Sequence, residues 1–367
     1  MNKGIPFTKI IKGLPSKAPF IGPESLERRL DRNFNLRLGA NESNFGMSSK
    51  AFKVIQEVIN ESSWYGDPEN YELRCSLAEI YGISPQEICV AGGIDDLLGL
   101  VVRMTVMPGT PVVTSLGAYP TFNYHVFGFG GVLNKVPYFQ DRENLESLLS
   151  TSIKKKAPLI YFSNPDNPMG TFHNGVDIEN FINSIPSGKL LILDEAYYEF
   201  APFDSIVPID TSNEKIVRMR TFSKAYGMAG LRVGYAIANK KIIDGLNKIR
   251  LHFAVSRIAQ IGALASLQDV EHITSVVNEV QKGKEEYYAL AKRLNLNFLI
   301  SGANFVSIDF ETGDRARKIL SLLEEEGVFV RMSSIPVLDR CIRVTVGTEK
   351  ERLIFSEILT KVVQKID

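Results

Sequence analysis

The chain has 367 residues, of which 44% are hydrophobic, and its 42 basic side chains balance 42 acidic ones. This length exceeds the usual size of a single hydrophobic core and predicts two domains. The balanced charge argues against a nucleic acid or an anionic membrane as the main partner, because both favour a basic surplus. No stretch approaches the roughly 20 apolar residues that span a bilayer.

The three cysteines are far apart in the sequence, at Cys75, Cys89 and Cys341. They form neither a metal-ligand spacing nor a disulfide framework, so we expect no metal site and a reducing, cytoplasmic location. The N-terminal sequence MNKGIPFTKI lacks the apolar run of a secretory signal, which agrees with that location.

The first forty or so residues are rich in proline, glycine and charge, and they predict an irregular arm. Beyond the arm, helical patterns alternate with short β-rich runs, namely EICVAGG, PVVTS, GVLNKVPY, PLIYFSN, KLLILDEA, EKIVRMRTFS and LRVGYAIA. Several of these runs are nearly continuous apolar segments, which are typical of strands buried on both faces. The alternation predicts an α/β fold, with a mostly parallel sheet flanked by helices.

The pattern changes from about Lys240. A helical pattern covers about 240–269, a second helix follows, and the strand patterns ANFVSIDF and CIRVTVG then flank the helix DRARKILSLLEEEG. These elements predict a smaller α+β domain. We therefore expect an N-terminal arm at 1–45 that packs with the small domain, a large domain at 46–250 and a small domain at 251–367.

Polar side chains follow the predicted strands where they end, which is the edge at which open α/β sheets bind ligands. Asp194 emerges from the apolar run KLLIL, and a buried carboxylate needs either a structural partner or a cationic ligand atom. Lys224 would ordinarily be a surface charge. However, Thr221, Ser223 and Arg232 beside it suit a phosphate, and cationic neighbours lower the pKa of a lysine.

Two further strand ends are less specific. Asn167 lies in NPDNPMG, whose two Asn-Pro pairs predict a stiff loop that could present its amide to a ligand. Gly93 lies in AGGIDD, at the start of a predicted helix whose backbone N–H groups suit a phosphate. Either segment alone is equally well interpreted as an ordinary turn.

Taken in chain order, these motifs resemble the fold-type I pyridoxal phosphate aminotransferases, and within them the histidinol-phosphate aminotransferase subfamily. The matching segments run from about residue 38 to 348 and are LGANESNFG, WYGDPENYELR, AGGIDD, YPTFNY, NPDNPMG, DEAYYEF, RTFSKAYGMAGLRVGY and IRVTVGT. The resemblance implies pyridoxal 5′-phosphate as cofactor and a homodimer with a shared active site. It also implies a small-molecule amino donor, with histidinol phosphate as the first candidate, and the 2-oxo acid 2-oxoglutarate as acceptor.

The same resemblance implies a role for each matching residue. Lys224 would hold the cofactor as a Schiff base and move a proton, while Asp194 would keep the ring nitrogen protonated. Asn167 and Tyr197 would hydrogen-bond the ring oxygen, and Phe122 would stack on the ring. The cofactor phosphate would be bound by Gly93, Ile94, Asp95, Thr221, Ser223 and Arg232.

The substrate site implied by the resemblance uses residues from both ends of the chain. Tyr65 would come from the other subunit, Arg343 would bind the substrate α-carboxylate, and Arg331 would bind the substrate phosphate. Asn41 and Phe20 would complete the substrate site.

The chain also departs from the subfamily in ways that bear on the substrate. Phe20 lacks the hydroxyl of the tyrosine that the subfamily uses, and Glu24 adds negative charge near the expected phosphate position. An aminotransferase for aromatic or other amino acids therefore stays open. A decarboxylase of the threonine-phosphate type and a non-catalytic cofactor-binding regulator are the remaining alternatives.

Overall fold

A seven-stranded sheet forms the centre of the larger part of this computed structural model, which describes residues 5–16 and 21–366. In spatial order its strands are Ile88–Ala91, Gly234–Ala238, Ile216–Thr221, Leu190–Asp194, Leu159–Ser163, Pro111–Ser115 and Val132–Val136. Gly234–Ala238 runs antiparallel to both of its neighbours, and every other pairing is parallel. The predicted α/β fold with a mostly parallel sheet is confirmed.

Helices cover both faces of this sheet. They are Ser49–Val58, Tyr71–Tyr81, Ile94–Thr105, Pro120–Gly128, Leu145–Lys154, Gly175–Ser184, Lys240–Asn247 and Arg257–Leu267. Alternate strand residues enter separate hydrophobic clusters, as Tyr161 and Phe162 do, because successive side chains point to opposite faces. This burial on both faces explains why the sequences of the strands are nearly continuous apolar runs.

The C-terminal third forms a four-stranded antiparallel sheet. In spatial order its strands are Arg331–Met332, Cys341–Thr345, Phe305–Asp309 and Asn297–Phe298, and the helices of this part are Val270–Arg293, Gly313–Glu325 and Glu349–Gln364. The predicted α+β pattern is therefore present here, while the residue limits of the domains stay predictions. Short 3₁₀ turns occur at Ile59–Ser63, Pro85–Glu87, Tyr198–Phe200, Phe203–Ser205, Ala229–Leu231 and Leu338–Arg340.

The described part of the N-terminal arm is more regular than the sequence predicts. It contains the short helices Lys9–Gly13 and Pro23–Leu30, followed by the strand Leu36–Arg37. That strand pairs in parallel with Val328–Phe329, and Arg32 donates to the backbone carbonyl of Glu325 at 2.8 Å. The arm therefore contacts the C-terminal third directly.

The prediction of one helix over about 240–269 is wrong. The chain leaves the helix after Lys240–Asn247 and becomes helical again at Arg257–Leu267. Ser256 caps the second helix by accepting a hydrogen bond from Ala259 N at 3.3 Å, and serine is a favoured residue at this position. Helical periodicity on both sides of the cap concealed the break.

The fold brings several polar strand ends to one edge of the large sheet. Ser163 lies opposite Asp194 on neighbouring parallel strands, and Thr221 ends the next strand. Gly234 pairs with Thr221 and packs so closely on Gly93 that an added Cβ would lie 2.9 Å from its Cα. Ligands of open α/β sheets bind at this carboxyl edge.

Gly227 fixes the loop that follows Lys224, and Gly227→Ala should lower the melting temperature. It has φ +68°, and an added Cβ would lie 2.0 Å from the carbonyl oxygen of Gly46. Backbone strain costs about 1 kcal/mol, and the clash should add about 2 kcal/mol or more. Gly188→Ala is the control, because Gly188 has φ +81° but open space around it. Equal decreases in a thermal melt of the two variants would contradict this packing.

Candidate active site

A cavity of about 320 Å³ opens at the carboxyl edge of the large sheet. Among the residues selected from the sequence, its walls contain Ile94, Asp95, Asn167, Asp194, Tyr197, Thr221, Ser223, Lys224 and Arg232. The fold therefore brings together side chains that are up to 138 positions apart, from Ile94 to Arg232. Gly93 adjoins this wall through its contact with Arg232.

Asp194 ends a strand in which every residue is buried, and only 5% of its own surface is exposed. Tyr161 donates its hydroxyl hydrogen to Oδ2 at 2.7 Å, and the backbone N–H of Ala196 donates to Oδ1 at 3.0 Å. Burial raises the pKa of Asp194 to about 6. No basic side chain within residues 5–16 and 21–366 forms an ion pair with it. A ligand that brings a cationic N–H would therefore stabilise its charged form.

Lys224 lies three residues beyond the end of the strand Ile216–Thr221. Its Nζ is 5.7 Å from the ring centroid of Tyr197, and the described part of the chain offers it no hydrogen-bond acceptor or carboxylate partner. Burial, followed by the charge of Arg343, lowers the pKa of Lys224 to about 8. A much larger share of this lysine is therefore a neutral, nucleophilic amine than of an ordinary lysine.

The end of the cavity near Arg232 is suited to an anion. Arg232 donates to Ser223 Oγ at 3.3 Å, and Ser223 N donates to Thr221 Oγ1 at 3.0 Å. Gly93 has φ +89°, and an added Cβ would lie 2.6 Å from Arg232 Nη2, so glycine allows the guanidinium to approach the start of the next helix. Arg232 also forms an ion pair with Asp95 at 3.4 Å. A guanidinium, a hydroxyl and a helix N-terminus together suit a phosphate.

Tyr197 lines both cavities and contacts residues from both ends of the chain. Asn41 is buried and donates its amide to the Tyr197 hydroxyl at 2.8 Å, while Phe305 packs edge-on against the Tyr197 ring at 5.4 Å. Burial raises the pKa of Tyr197 to about 12, so its hydroxyl stays protonated and can donate into the cavity. Asn41 thus acts on Tyr197 and also lines the adjoining cavity.

An adjoining cavity of about 580 Å³ shares Asn167, Tyr197 and Lys224 with the first. Its walls also contain Lys135 and Arg331, and no aspartate or glutamate lines it in the described ranges. A cavity of this charge favours an anionic substrate.

Arg343 lines the larger cavity and contacts Asn167, which lines both cavities. It donates through Nη1 to Asn167 Oδ1 and through Nη2 to the carbonyl oxygen of Gly39 at 3.1 Å. Its Nε is buried and finds no acceptor among the described residues, which leaves a donor for a ligand. The Oδ1 of Asn167 is occupied by this contact, so the amide NH₂ of Asn167 remains to donate into the cavity.

Arg331 lines the larger cavity and donates to the carbonyl oxygen of Ile21 at 2.6 Å. Phe20 lies outside the described residues. Glu24 lines neither cavity and instead pairs with Arg37 at 3.0 Å. The negative charge that the sequence places near a substrate phosphate is therefore offset by Arg37.

Phe122 is not among the residues that line the two cavities, and its expected role as the ring-stacking residue stays a prediction. It is fully buried and stacks on Tyr161 at 4.5 Å within the core. Tyr119 lines both cavities instead, because the helix Pro120–Gly128 begins directly after it and turns Phe122 toward the sheet. The sequence analysis did not select Tyr119 or Tyr161 as site residues. For Tyr161, the available signal was a hydroxyl group within a mainly apolar strand.

Tyr65 lies away from both cavities of its own chain. Its side chain is 76% exposed, and its ring lies 4.6 Å from that of Phe253. Its expected role in the site of another subunit stays a prediction.

In the part of the chain that the structure describes, no three His, Cys, Asp or Glu side chains come close enough to share a metal ion. Across the same residues, no helix combines the length and apolar character needed to cross a membrane.

Known proteins resemble this chain over nearly its whole length. The family model for aminotransferase class I and II matches residues 35–358. A histidinol-phosphate aminotransferase 2 from Carboxydothermus hydrogenoformans is 32% identical over 360 residues, covering 97% of this chain and 99% of that protein.

Solved structures agree with that sequence match. The crystal structure of histidinol-phosphate aminotransferase from Sinorhizobium meliloti, in complex with pyridoxal-5′-phosphate, is 41% identical, with a TM-score of 0.95 over 99% of this chain and 98% of that one. An aspartate aminotransferase double mutant from Thermus thermophilus is 20% identical, with a TM-score of 0.81 and 98% coverage of both chains, and supports the fold alone.

Proposed function

This chain belongs to the aminotransferase class I and II family, and on that basis we propose that it transfers the amino group of histidinol phosphate to 2-oxoglutarate. It is an enzyme, and pyridoxal 5′-phosphate is its cofactor. The observation that carries the proposal is the junction of two cavities at Lys224. One contains the groups for the cofactor, and the other contains cations for an anionic substrate.

The smaller cavity fits pyridoxal phosphate at three points. Asp194 lacks a cationic partner within the described residues and would hold the ring nitrogen, while the amine of Lys224 would hold the aldehyde carbon. Gly93, Ser223 and Arg232 would hold the phosphate, at the place where a Cβ on residue 93 would collide with the guanidinium. When bound, the cofactor supplies a ring that withdraws electrons from the substrate α-carbon.

Each side chain then has a physical task. Lys224 would move a proton to and from the substrate α-carbon, and a pKa near 8 suits that work at ordinary pH. Asp194 would stabilise a cationic ring nitrogen, and that cation would in turn offset the cost of burying the carboxylate. Tyr197 and Asn167 would donate to the ring oxygen, while Tyr119, rather than Phe122, would pack on the ring face.

The larger cavity supports histidinol phosphate over a neutral amino acid. Lys135, Arg331 and Arg343 line it without a single acid in the described ranges. A phosphate and the carboxylates of glutamate are all anions that such side chains bind with charge-assisted hydrogen bonds. One cavity can therefore accept both the donor and the 2-oxo acid in alternation.

The proposal includes a homodimer. Trp64, Tyr65 and Phe253 form an exposed aromatic group in which Tyr65 touches Phe253 but neither cavity of its own chain. Large exposed aromatic groups are typical of protein interfaces. A second copy covering this group would bring Tyr65 to its own site. The free thiols of Cys75, Cys89 and Cys341 support a cytoplasmic location.

Lys224→Ala should abolish turnover and covalent cofactor attachment, because no other amine lines the smaller cavity in the described ranges. We expect a loss of at least about 10³-fold in kcat, the upper range for removal of a positioned acid–base group. The exposed Lys248→Ala is the matched control. Borohydride reduction followed by mass spectrometry of the intact protein measures attachment, and cofactor still linked to the Lys224→Ala protein would contradict the assignment.

The identity of the reaction is tested by product analysis of the wild-type enzyme. Histidinol phosphate with 2-oxoglutarate should yield glutamate at a rate above that of aromatic amino acids. Release of carbon dioxide from a phosphorylated amino acid, with no glutamate formed, would favour a decarboxylase instead. No turnover of any donor by the cofactor-loaded protein would favour a regulator.

Substitution of Tyr119 should weaken cofactor retention more than substitution of Phe122. Aromatic stacking contributes about 1 kcal/mol, so Tyr119→Leu should raise the cofactor dissociation constant roughly five-fold. Phe122→Leu should instead lower the melting temperature, because it leaves a gap against Tyr161 in the core. Equilibrium dialysis measures retention, and the reverse ranking of the two variants would restore Phe122 to the site.

Arg331→Gln and Lys135→Gln should selectively impair phosphorylated substrates. Loss of one charge-assisted hydrogen bond costs about 1.5–3 kcal/mol, so we expect KM for histidinol phosphate to rise roughly 10–100-fold in Arg331→Gln. The exposed Lys135 should have a smaller effect. Histidinol, which lacks the phosphate, is the control substrate, and equal losses with both substrates would contradict a phosphate contact.

A further inference from the structure

Two buried carboxyl groups lie behind the cofactor wall, and neither has a counter-ion. Glu143 is 1% exposed and Asp166 is 2% exposed. Ser163 lines the smaller cavity and lies between the two carboxyls. Its Oγ is 2.7 Å from Glu143 Oε1 and 3.3 Å from Asp166 Oδ1. Neither carboxyl forms an ion pair with any basic side chain in the described ranges.

Hydrogen bonds around the pair favour a proton on one of the two carboxyls. Glu143 accepts from the hydroxyl of Ser115 and from Ser163 N at 3.0 Å, and Asp166 accepts from Tyr138 at 2.9 Å. The Ser163 hydroxyl carries one hydrogen, which the shorter distance assigns to Glu143. Its contact with Asp166 is then a hydrogen bond only if Asp166 is protonated and donates to Ser163 Oγ.

Among the described residues, the surrounding groups leave both carboxyls without an ion pair. Burial, followed by the charge of Asp166, raises the pKa of Glu143 to about 8, and burial raises the pKa of Asp166 to about 7. The phenol of Tyr138 stays protonated because burial raises its pKa. Burial lowers the pKa of His173, whose Nε2 lies 2.7 Å from the Glu143 carbonyl oxygen, and so disfavours its cationic form. Arg343 is the cation that acts on Asp166, and it is bonded to Asn167.

Asp166 also fixes the loop that carries Asn167. Its Oδ2 accepts from Met169 N at 3.1 Å, its carbonyl oxygen accepts from Gly170 N at 3.0 Å, and its N–H donates to the Thr171 carbonyl at 2.8 Å. Asn167, held between these bonds, lines both cavities and accepts from Arg343. Movement of Asp166 would therefore displace the Asn167 and Arg343 pair.

We propose that Glu143 and Asp166, bridged by Ser163, are a pair of positioning residues that share one proton and thereby hold Asn167 and Arg343 in place for substrate binding. The sharing of the proton is independent of the reaction, whereas the effect on substrate binding rests on the proposed function. Loss of the shared proton leaves two buried like charges, whose repulsion acts on the loop.

The proposed proton predicts how the stability of the fold changes with pH. Both carboxyls have a folded-state pKa above the unfolded value, so folding becomes less favourable as pH rises from about 4 to about 8. Asp166→Asn removes one of the two charges and preserves the shape, with an amide N–H that can donate to Ser163. The melting temperature of the wild type minus that of Asp166→Asn should therefore fall steadily from about pH 5 to about pH 8.

The first experiment measures thermal melts of wild type, Asp166→Asn and Glu143→Gln without cofactor from about pH 5 to about pH 9. Exposed Glu146→Gln is the matched control and should run parallel to the wild type. Glu143→Gln removes the charge of the other member of the pair. The proposal can therefore still be tested if one of the two variants does not fold. Parallel curves for the wild type and both variants would overturn the shared proton, whatever the enzyme's reaction is.

The second experiment measures KM and kcat separately over the same pH range. The wild type should lose substrate affinity as the shared proton leaves, so its KM should rise more than about three-fold above pH 8, and Asp166→Asn should abolish that rise. Glu146→Gln should keep the wild-type profile. An unchanged KM profile in Asp166→Asn, together with the altered melts, would overturn the positioning role alone.

Discussion

The proposed chemistry of this molecule depends on a carboxylate that is buried at the end of a strand without a basic partner in the described chain. Asp194 is held by the hydroxyl of Tyr161 and the N–H of Ala196, and both donors favour its charged form. Burial opposes that form and raises its pKa to about 6. A protonated ring nitrogen of the cofactor would resolve the conflict, because it would bring the missing positive charge together with a hydrogen-bond donor.

Sheet topology places the remaining groups around that carboxylate. Parallel strands end at one edge, so Ser163, Asp194 and Thr221 become neighbours although they are far apart in the sequence. The second sheet contributes Arg343, which reaches across to Asn167 in a loop of the large sheet. The larger cavity is therefore lined by side chains from both parts of the chain, and its charge depends on both.

The sequence predicted the fold, and it selected most of the residues that line the smaller cavity, for a clear reason. Polar residues that interrupt apolar runs, such as Asp194, must meet a ligand or a partner at a strand end. The positions that the sequence did not predict depend on three-dimensional contacts. Phe122 and Tyr119 lie three residues apart, and only the start of the helix decides which one faces the cavity. Glu143 lies in no regular element, and its pairing with Asp166 follows from packing alone.

A crystal structure of the protein with pyridoxal phosphate bound tests the central claim most directly. The account predicts density continuous from Nζ of Lys224 to the cofactor, with the ring nitrogen roughly 2.7–2.9 Å from a carboxylate oxygen of Asp194. Cofactor bound through a different lysine, or a ring nitrogen beyond hydrogen-bond reach of Asp194, would contradict it.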